Sequence, residues 1–350
     1  MKRKLFLTLL LCAMCVIPMA AAHNNTSTAS TEQLRVLQYN TWNEGALVKG
    51  GQQSIKDIID QMEIDVVLFQ EIRGQKFIDE IIAYLKEKGK TYYGYSLNIS
   101  TAILSRYPIE KVRGSFELGK DSYAFVKANV TINHNEFAFY SIHMDWKYLT
   151  YHNMLGYSDH SPFEKISEPW TDVDKILAWN NKSRRGKEIK AIIADAQKEI
   201  KQGHLVILGG DFNEASMLDW REDTKNINHH NGLVIDWPCS AKLLKAGFCD
   251  TYRTKYPNPV THPGYTCKAG NKDMKPKEHK RSLRQRIDLN YFYPHQNLTL
   301  TDAFIVGPQE ELNNGNIQPK ESKDIIITPG CIWASDHKAV LSIYEVRSGE

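Results

Sequence analysis

The sequence predicts an α+β protein: a four-layer α/β/β/α sandwich of two mixed sheets packed face to face, with helices outside. Short apolar segments typical of buried strands alternate along the chain with segments whose apolar residues recur every three or four positions, as on one face of a helix. No internal repeat and no linker rich in Pro, Gly and Ser divides the 350 residues. We therefore expect one large domain rather than several small ones.

The individual elements are predicted from these two patterns, apolar runs for strands and a three-to-four-residue repeat for helices. Residues 34–39 are predicted to form the first buried strand, and Ser54 is predicted to cap a helix whose apolar face begins at Ile55. Further strands are predicted at 65–69, 102–104, 124–132, 136–142, 205–208, 287–293, 298–305 and 339–346, and further helices at 77–85 and 186–201. The chain from 34 to 347 is thus predicted to fold as a unit.

Residues 1–22 are predicted to be a secretory signal peptide rather than part of the fold. Met1-Lys-Arg-Lys is basic, residues 5–17 are apolar, and Pro18-Met-Ala-Ala-Ala22 offers a small-residue cleavage site. The apolar run is too short for a membrane span, and an uncleaved anchor is the alternative. Cleavage would leave a chain that begins near His23, with a polar, flexible leader at 23–33 and a periplasmic or extracellular location.

The charge of the chain argues mildly against a nonspecific nucleic-acid binder. The sequence has 44 basic and 41 acidic residues. Removing residues 1–22 takes away Lys2, Arg3 and Lys4 and no acid, which leaves 41 of each. Such binders usually carry a strong basic excess, because phosphate contacts supply most of their affinity. A nucleic-acid partner therefore stays open but is not favoured, since a local basic patch is compatible with a neutral total.

Four cysteines remain after cleavage, and their even number in an exported chain permits two disulfides. They are Cys239, Cys249, Cys267 and Cys331. Buried free thiols are nearly as plausible in a chain with a large core, and pairing cannot be read from spacing. Cys239 with Cys249, which would close a short loop, is the first pair expected.

Two long segments, 144–182 and 216–280, interrupt the alternation of strands and helices, and long loops in a compact domain tend to be functional. The first carries seven large aromatic side chains: Trp146, Tyr148, Tyr151, Tyr157, Phe163, Trp170 and Trp179. We expect them to narrow a cleft toward a small or lipid-like group, with a small core beneath the loop as the alternative. The basic run at 271–286 is either a contact for extra phosphates or a solvated loop.

Polar residues stand at the ends of the predicted strands, where loops expose side chains. Asn40 ends the first strand, Glu71 ends Phe-Gln-Glu, and His143 ends Tyr-Ser-Ile-His. The others lie in three short motifs: Asp211 and Asn213 in Gly-Gly-Asp-Phe-Asn-Glu, Asp288 in Arg-Ile-Asp-Leu-Asn, and Asp336 and His337 in Ser-Asp-His-Lys. Each alone is typical of a turn or a packed polar side chain. A carboxylate inside a strand, as at Asp288, needs a partner if it is buried.

Taken in order, these motifs resemble those of the endonuclease/exonuclease/phosphatase superfamily, which includes pancreatic-type deoxyribonuclease, abasic-site endonucleases, neutral sphingomyelinases and inositol-polyphosphate phosphatases. The resemblance extends over about 34–346, and its most specific parts are Gly-Gly-Asp-Phe-Asn, Arg-Ile-Asp and Ser-Asp-His. Residues 103–109 also look like a recurrent strand and turn of that group. Cys267 departs from the pattern, since many members have a Thr-Trp pair where this chain has Thr-Cys.

The resemblance implies a phosphoester hydrolase that uses a divalent cation, expected to be Mg²⁺ with Mn²⁺ or Ca²⁺ as alternatives. Mg²⁺ prefers oxygen ligands and keeps several waters. By the resemblance, Glu71 would be the main ligand, with Asn40 and Asp336 close by. Asp211 and Asn213 would align the attacking water and the phosphoryl oxygens.

The resemblance gives the two histidines different roles. His337 would contact the phosphate and help to take the proton of the water, held in orientation by Asp288, because a carboxylate beside an imidazole fixes its tautomer and raises its pKa. His143 would donate a proton to the leaving oxygen, and its presence places the chain nearer the deoxyribonuclease and sphingomyelinase branches. No acidic partner for His143 is found in 124–130, where Lys127 stands.

The expected function is that of an exported, divalent-metal-dependent hydrolase of phosphate mono- or diesters, acting on a small or lipid-like substrate. A secreted nonspecific nuclease of the deoxyribonuclease type is the main alternative, favoured by the local basic run and opposed by the neutral charge of the mature chain. A binding protein that has kept the fold and lost catalysis is a third, opposed by the complete set of site residues.

Overall fold

The structure is a computed structural model, and it describes residues 30–97, 100–114, 125–160, 163–273, 284–313 and 315–349. The expected signal peptide and residues 23–29 of the expected leader lie outside these ranges. Within them, every helix is too short or too polar to cross a membrane.

The strands of the described ranges form two large sheets and one hairpin. In chain order they are β1 (Thr31–Asn40), β2 (Val66–Gln70), β3 (Tyr93–Ser96), β4 (Thr101–Ser105), β5 (Ile109–Gly114), β6 (Phe125–Ile132), β7 (Asn135–His143), β8 (Leu205–Asp211), β9 (Cys249–Asp250), β10 (Asp288–Phe292), β11 (Leu298–Val306), β12 (Glu310–Asn313), β13 (Asn316–Pro319), β14 (Ile326–Ile327) and β15 (Ala339–Arg347). The helices are α1 (Gly51–Gln61), α2 (Gln75–Glu87), α3 (Thr150–Met154), α4 (Val173–Asn180), α5 (Arg185–Lys201), α6 (Pro238–Lys245) and α7 (Thr251–Lys255).

Both large sheets are mixed. The first has seven strands in the order β14-β11-β15-β1-β2-β4-β3, and the second has six in the order β5-β6-β7-β8-β10-β9. Strand β1 runs parallel to β2, and β7 runs parallel to β8, while β15 pairs with β1 and β10 pairs with β8 in the antiparallel sense. The carboxyl ends of β1 and β2 therefore share an edge with the start of β15, and those of β7 and β8 share an edge with the start of β10.

The core lies in three apolar layers between four layers of secondary structure. In β1, Leu34 and Val36 face the second sheet, whereas Leu37 and Tyr39 face α1 and α2, because successive strand residues point to opposite faces. Helices α5 and α6 bury their apolar faces on the outer side of the second sheet. The predicted four-layer sandwich is confirmed.

Two predicted boundaries are wrong. Strand β1 begins at Thr31, so residues 31–33 of the expected leader are strand residues paired with β15. Helix α1 begins after Gly50, whose left-handed φ of 77° ends the preceding turn, and Ser54 lies inside the helix. The hydroxyl of Ser54 donates to the carbonyl oxygen of Ile332, so a tertiary contact uses the side chain that the sequence assigned to a cap.

Several short elements are not predicted by the sequence, among them β3, β5, the hairpin β12–β13 and helices α3, α4, α6 and α7. Strand β5 illustrates the reason, because its side chains are exposed or half-buried throughout and give no apolar run. Elements of this kind are stabilised mainly by packing against the longer strands, so their own sequences do not predict them.

The four cysteines within the described ranges are free thiols, so the expected bridge between Cys239 and Cys249 is wrong. Cys239 lies near the start of α6, and Cys249 lies beyond the end of that helix, on β9. A helix of 8 residues spans roughly 12 Å, which separates the two positions. Cys239 instead packs in the core layer beneath α5.

The aromatic segment that follows β7 rests on a small buried cluster. It contains α3 and α4, and its Met154 and Ile176 pack with Trp220 and Trp237 of the second long segment. Trp170 packs against the same cluster and is partly buried. The small core that the sequence offered as an alternative for this segment is therefore present.

Candidate active site

The ends of β1, β2, β7 and β8 and the starts of β10 and β15 surround a cavity with a volume of about 350 Å³. Most of the predicted site residues line it: Glu71, His143, Asp211, Asn213, Asp336 and His337. The other two, Asn40 and Asp288, are fully buried and bonded to Asp211 and His337, respectively. The structure thus brings all of the predicted site residues together.

The register of the strands accounts for this convergence. His143 pairs with Asp211 across β7 and β8, and Asp288 pairs with Asp211 across β8 and β10. A Cβ on Gly210 would lie 1.9 Å from the carbonyl oxygen of Ile142. The glycines that precede Asp211 are therefore required for the close approach of these strands.

Asp288 and His337 form a buried ion pair. The Nδ1 of His337 donates to Oδ2 of Asp288 at 2.8 Å, and the Nε2 of Gln38 donates to the other oxygen, Oδ1, at 2.8 Å. Burial opposes a charge on the imidazole, but the negative charges of Asp288 and Asp336 outweigh it and raise the pKa of His337 well above its usual value. A charged imidazole donates from Nε2, which suits contact with phosphate better than acceptance of a proton from water.

Buried polar side chains support this pair from between the sheets. The Nε2 of Gln38 also donates to Oε1 of Gln70 at 2.7 Å, and the Nε2 of Gln70 donates to the Oγ of Ser141 at 3.0 Å. Both partners of the Gln38 amide nitrogen are acceptors, so the orientation of that amide is fixed. All three side chains are fully buried. We infer that they hold the Asp288 carboxylate in position.

Asp211 is held by two of the other predicted residues. Its Oδ2 accepts from Nδ2 of Asn40 at 3.0 Å, and its Oδ1 accepts from the backbone N–H of Asn213 at 2.8 Å. Asn213 has a left-handed backbone, with φ 48°, and its side chain donates to the carbonyl oxygen of Met144. Burial raises the pKa of Asp211, and the negative charge of Asp288 adds to the effect. A raised pKa makes this carboxylate a better acceptor for a proton from water.

The hydrogen-bond partner of the His143 ring is a hydroxyl group and not a carboxylate. Its Nδ1 lies 2.7 Å from the Oγ of Ser100, and its Nε2 lies 3.8 Å from Oδ2 of Asp211. Lys127 instead pairs with carboxylates of α5, on the outer face of the second sheet. The Nε2 of His143 is therefore the ring atom available to the cavity.

A left-handed turn after β1 orients Glu71. Residues 42–45 all have positive φ, between 48° and 68°, and Glu71 itself has φ 60°. Such conformations are costly for residues with side chains and concentrate at functional sites. The turn brings the backbone N–H of Asn43 to 2.9 Å from Oε2 of Glu71 and places Trp42 in the cavity wall.

Asp336 has one paired and one unpaired oxygen. Its Oδ2 forms an ion pair with the Nζ of Lys268, whereas Oδ1 is buried, has no hydrogen-bond partner within the described ranges and lies 3.8 Å from Nε2 of His337. Burial opposes ionisation, but Lys268 and His337 outweigh it and lower the pKa of Asp336. The hydroxyl of Ser335 donates to the carbonyl oxygen of Asn40 and fixes this loop to the end of β1.

The carboxylates of Glu71 and Asp336 offer oxygen atoms of the kind that a hard divalent cation prefers. Glu71 and Asp336 both line the cavity, and a buried carboxylate oxygen without a partner, as in Asp336, is suited to a cation. The amide of Asn40 is already engaged at both ends, since its Nδ2 donates to Asp211 and its Oδ1 accepts from the backbone of Trp42. The arrangement supports Asn40 as a residue that orients Asp211, and its role as a ligand stays a prediction.

A second group, Asp211, Asp288 and His337, also has potential ligand atoms within 4.8 Å of one another. Both oxygens of Asp288 are already hydrogen-bonded, one to Gln38 and one to His337. These two hydrogen bonds leave Asp288 less suited to binding a metal ion than a carboxylate with an unbonded oxygen.

One wall of the cavity is largely aromatic and comes mainly from the segment after His143. Its side chains are Trp42, Trp146, Leu149, Tyr151, His152 and Phe163. Trp146 is 60% exposed, while the ring of His152 lies 4.6 Å from that of Tyr151 and 5.6 Å from that of Phe163. The segment thus supplies a cavity wall in addition to the small core beneath it.

Arg185 fixes the start of this wall. Its buried guanidinium donates to the backbone carbonyl oxygens of Asp145, Lys147 and Tyr148 and to the side chain of Asn180. Its Nε lies 3.8 Å from the carboxylate of Glu214, which directly follows Asn213 in the chain. The aromatic wall is therefore tied to the loop that carries the catalytic candidates Asp211 and Asn213.

The described arginines of the basic run at 271–286 do not reach the cavity. Arg286 is buried and pairs with Asp219 and Asp250, and Arg284 pairs with Glu311. For these two residues the contact with extra phosphates, one of the two alternatives for this run, is wrong, because the carboxylates of other segments already pair with them. Residues 274–283, which hold most of the other cations of the run, lie outside the described ranges.

Three residues of this site are not predicted from the sequence: Gln38, Ser100 and Lys268. A signal for Gln38 exists, because strand alternation places it on the same face as Val36, between the sheets, where an amide needs partners. Ser100 and Lys268 stand in loops without a local pattern. Only the tertiary fold brings them to His143 and Asp336.

Comparison with known proteins agrees with this fold. Residues 37–337 match the model of the endonuclease/exonuclease/phosphatase family. A Caenorhabditis elegans protein named "Uncharacterized protein F14F9.5" is 29% identical over 254 residues, which are 71% of this chain and 74% of that protein.

Two solved structures share the fold. The 3′ phosphatase NExo from Neisseria, bound to a product DNA hairpin, is 15% identical, covers 88% of this chain and 98% of its own, and has a TM-score of 0.52. TDP2 from Caenorhabditis elegans is 16% identical, covers 89% of this chain and 75% of its own, and has a TM-score of 0.50.

The family match spans all of the predicted site residues, from Asn40 to His337. The family is divalent-metal dependent and hydrolyses phosphoesters, which agrees with a cavity that carries carboxylate oxygens beside His143 and His337. This chain therefore belongs to the endonuclease/exonuclease/phosphatase family and is a metal-dependent phosphoesterase.

Proposed function

We propose that this protein is an exported hydrolase of a small or lipid-like phosphate ester, with Mg²⁺ as its metal ion. The observation that carries the proposal is the lining of the cavity of about 350 Å³, in which carboxylates and histidines stand beside aromatic side chains. Cavities of this size and mixed lining take small molecules or one end of a larger one. Binding along a long duplex instead relies on many basic contacts to phosphates.

In this proposal four side chains take part in binding the phosphate or orienting the attacking water: His337, Asp288, Asp211 and Asn213. The Nε2 of His337 holds a phosphate oxygen, and Asp288 keeps the ring in orientation through Nδ1. Asp211 orients the water and accepts its proton, because the carboxylate is buried and held at both oxygens. Asn213 stands next to Asp211 in the cavity wall and aligns a phosphoryl oxygen.

His143 acts on the leaving oxygen. Its Nδ1 is fixed by Ser100, so its Nε2 is the atom from which a proton is donated. Glu71 and Asp336 are the proposed ligands of Mg²⁺, with Asn40 as a neighbour. When bound, the ion supplies positive charge against the phosphate oxygens as negative charge develops on them.

Activity on a substrate panel tests this proposal. The protein is assayed with para-nitrophenyl phosphate, bis-para-nitrophenyl phosphate, sugar phosphates, inositol phosphates, sphingomyelin, RNA and plasmid DNA, each in Mg²⁺ and in chelator. We expect hydrolysis of a small or lipid-like ester in Mg²⁺ and its loss in chelator. Faster degradation of plasmid DNA than of every small phosphate would support the nuclease alternative instead, and full activity in chelator would refute the metal-dependent mechanism.

A substitution in the aromatic wall separates substrate choice from chemistry in the same panel. In Trp146→Ser we expect the KM of the preferred substrate to rise roughly 10-fold, the scale of one lost stacking contact, with little change for bis-para-nitrophenyl phosphate. Tyr93→Ser is the matched control, because Tyr93 is an exposed aromatic residue on the edge strand β3. Equal effects of Trp146→Ser on all substrates would argue against a selective wall.

Export is proposed from the pattern of residues 1–22 alone. A basic start, a short apolar run and small residues before His23 are typical of a cleaved signal peptide. Mass spectrometry of the protein from its producing cells is expected to find a first residue near His23 in the exported fraction. An intact Met1 terminus in that fraction would contradict the proposal.

A further inference from the structure

Lys268 is a cation at the cavity that no sequence motif identifies. It lines the cavity, its side chain is 29% exposed, and its Nζ pairs with Oδ2 of Asp336. The backbone on both sides is fixed, since Cys267 and Gln285 exchange two hydrogen bonds and Ala269 donates to the carbonyl oxygen of Asp336. The long side chain of Lys268 is thus anchored at its base, and its charged end is paired with Asp336.

The position of Lys268 gives its ammonium group two competing uses. Asp336 is one of the two proposed metal ligands, and its negative charge is balanced in part by Lys268. A divalent cation at Asp336 and the ammonium of Lys268 repel each other, so the two compete for this carboxylate. Among the described residues that line the cavity, Lys268 is the one lysine or arginine, and a phosphate bound there is the next partner for its charge.

We propose that Lys268 is a phosphate-binding residue, which pairs with Asp336 in the metal-free protein and with the substrate phosphate in the metal-loaded one, and that it favours the doubly charged phosphate of a monoester. The inference rests on the proposed function, since it concerns the same site. It goes further by naming the class of phosphate whose binding Lys268 strengthens most.

The preference for a monoester follows from charge. Near pH 8 a phosphate monoester carries about two negative charges, whereas a diester carries one. The carboxylates of Glu71, Asp211 and Asp336 line the same cavity and repel both, the monoester more strongly than the diester, so binding of a monoester depends more on a compensating cation. The attraction of a nearby ammonium grows with the charge of the ligand, so losing Lys268 weakens the binding of a monoester more than that of a diester.

Binding measurements on Lys268→Met test the exchange of partners. We expect the affinity for Mn²⁺, measured by electron paramagnetic resonance in phosphate-free buffer, to increase about 10-fold, because the competing cation is gone. We expect the affinity for inorganic phosphate, measured by calorimetry at saturating Mg²⁺, to decrease about 10-fold. If Lys268 had a purely structural role, the affinities for Mn²⁺ and for phosphate would not change in opposite directions. Lys268→Arg keeps the charge and is expected to restore phosphate binding in part.

Activity measurements test the preference for monoesters. In Lys268→Met the ratio of kcat/KM for para-nitrophenyl phosphate to that for bis-para-nitrophenyl phosphate is expected to fall about 10-fold. Lys245→Met, which removes an exposed charge from α6, is the matched control and is expected to leave the ratio unchanged. An equal loss for both esters would overturn the preference for monoesters.

The outcomes for Lys268 and for the proposed function are distinguishable. Unchanged or weaker Mn²⁺ binding in Lys268→Met, or unchanged phosphate binding, would overturn the proposal for Lys268 even if the wild-type enzyme hydrolyses both esters. Absence of any hydrolysis by the wild-type protein would count against the proposed function, while the two binding titrations would still decide whether Lys268 exchanges Asp336 for phosphate.

Discussion

Replacing His337 by alanine is expected to lower kcat by about 10² to 10⁴-fold, the range for loss of a positioned acid–base or charge-stabilising group. The ring of His337 is bonded through Nδ1 to Asp288, and its Nε2 lies 3.8 Å from Oδ1 of Asp336, at the cavity. The alanine variant removes that donor and leaves the cavity backbone in place. Steady-state kinetics on the small substrate that the panel identifies measure the change.

The removal of His337 also leaves Asp288 buried with Gln38 as its remaining side-chain donor, which lowers stability. Asp288→Asn is therefore a necessary companion, because the amide can still accept from Gln38 but offers N–H rather than oxygen to His337. Its kcat is expected to fall by a similar factor, and the double variant should be little worse than either single one, since the two residues act as a unit.

His295→Ala is the control for this pair. His295 lies beyond the far end of β10, where its Nδ1 accepts a hydrogen bond from the backbone of Asn297. We expect its kcat to stay within about twofold of the wild type, as for most substitutions away from a site. Wild-type turnover in His337→Ala would remove this residue from the reaction.

The long strands and the catalytic motifs could be predicted because both depend on local pattern. Strand β8 is an apolar run that ends in Gly-Gly-Asp. The apolar residues predict the strand, and the Gly-Gly-Asp that follows them predicts a site residue at its end. The register that pairs His143 with Asp211 follows once the two strands are parallel neighbours. The eight predicted site residues converge because each one stands at the end or start of such a strand.

What could not be predicted depends on contacts between distant parts of the chain. Lys268 and Ser100 reach Asp336 and His143 from loops, and nothing in their own neighbourhood distinguishes them from solvated side chains. The same reason explains the errors. Arg286 belongs to a basic run in the sequence, but its partners are Asp219 and Asp250, which lie far from it in the chain.

Polar residues inside core strands also indicate where the site lies. Gln38 and Gln70 interrupt buried strands, and the strand period alone places Gln38 in the layer between the sheets. A buried amide must find partners, so its presence two residues before Asn40 indicates a polar network beneath the site. Sequence could have given this inference, although the identity of the partner, Asp288, needs the structure.

Glu71→Gln is the sharpest test of the metal site. Gln has nearly the same shape as Glu, and its Oε1 can still accept the backbone N–H of Asn43, so the left-handed turn at 42–45 is expected to persist. The substitution removes the negative charge that a Mg²⁺ ligand supplies. We expect kcat to fall at least about 100-fold, since metal-ion catalysis contributes several kcal/mol.

Metal affinity is measured separately from turnover, by Mn²⁺ binding and by the Mg²⁺ concentration that gives half-maximal activity. Weaker Mn²⁺ binding, with partial recovery of turnover at high Mg²⁺, is the expected result for a lost ligand. Glu136→Gln is the matched control, because Glu136 lies at the opposite end of β7 from His143 and accepts from the hydroxyl of Thr131. Asp336→Asn should also lose turnover, but its ion pair with Lys268 changes at the same time.

The choice between a ligand and a positioning residue then depends on which property of Glu71→Gln changes. A residue that only holds the turn would keep its function as glutamine, because the hydrogen bond from Asn43 remains available. A residue that binds the ion would lose affinity for Mn²⁺ even though the turn is intact, since a neutral amide is a weaker ligand for a hard cation than a carboxylate. Unchanged Mn²⁺ binding and unchanged turnover would therefore exclude Glu71 as a ligand and move the metal site toward Asp211 and Asp336.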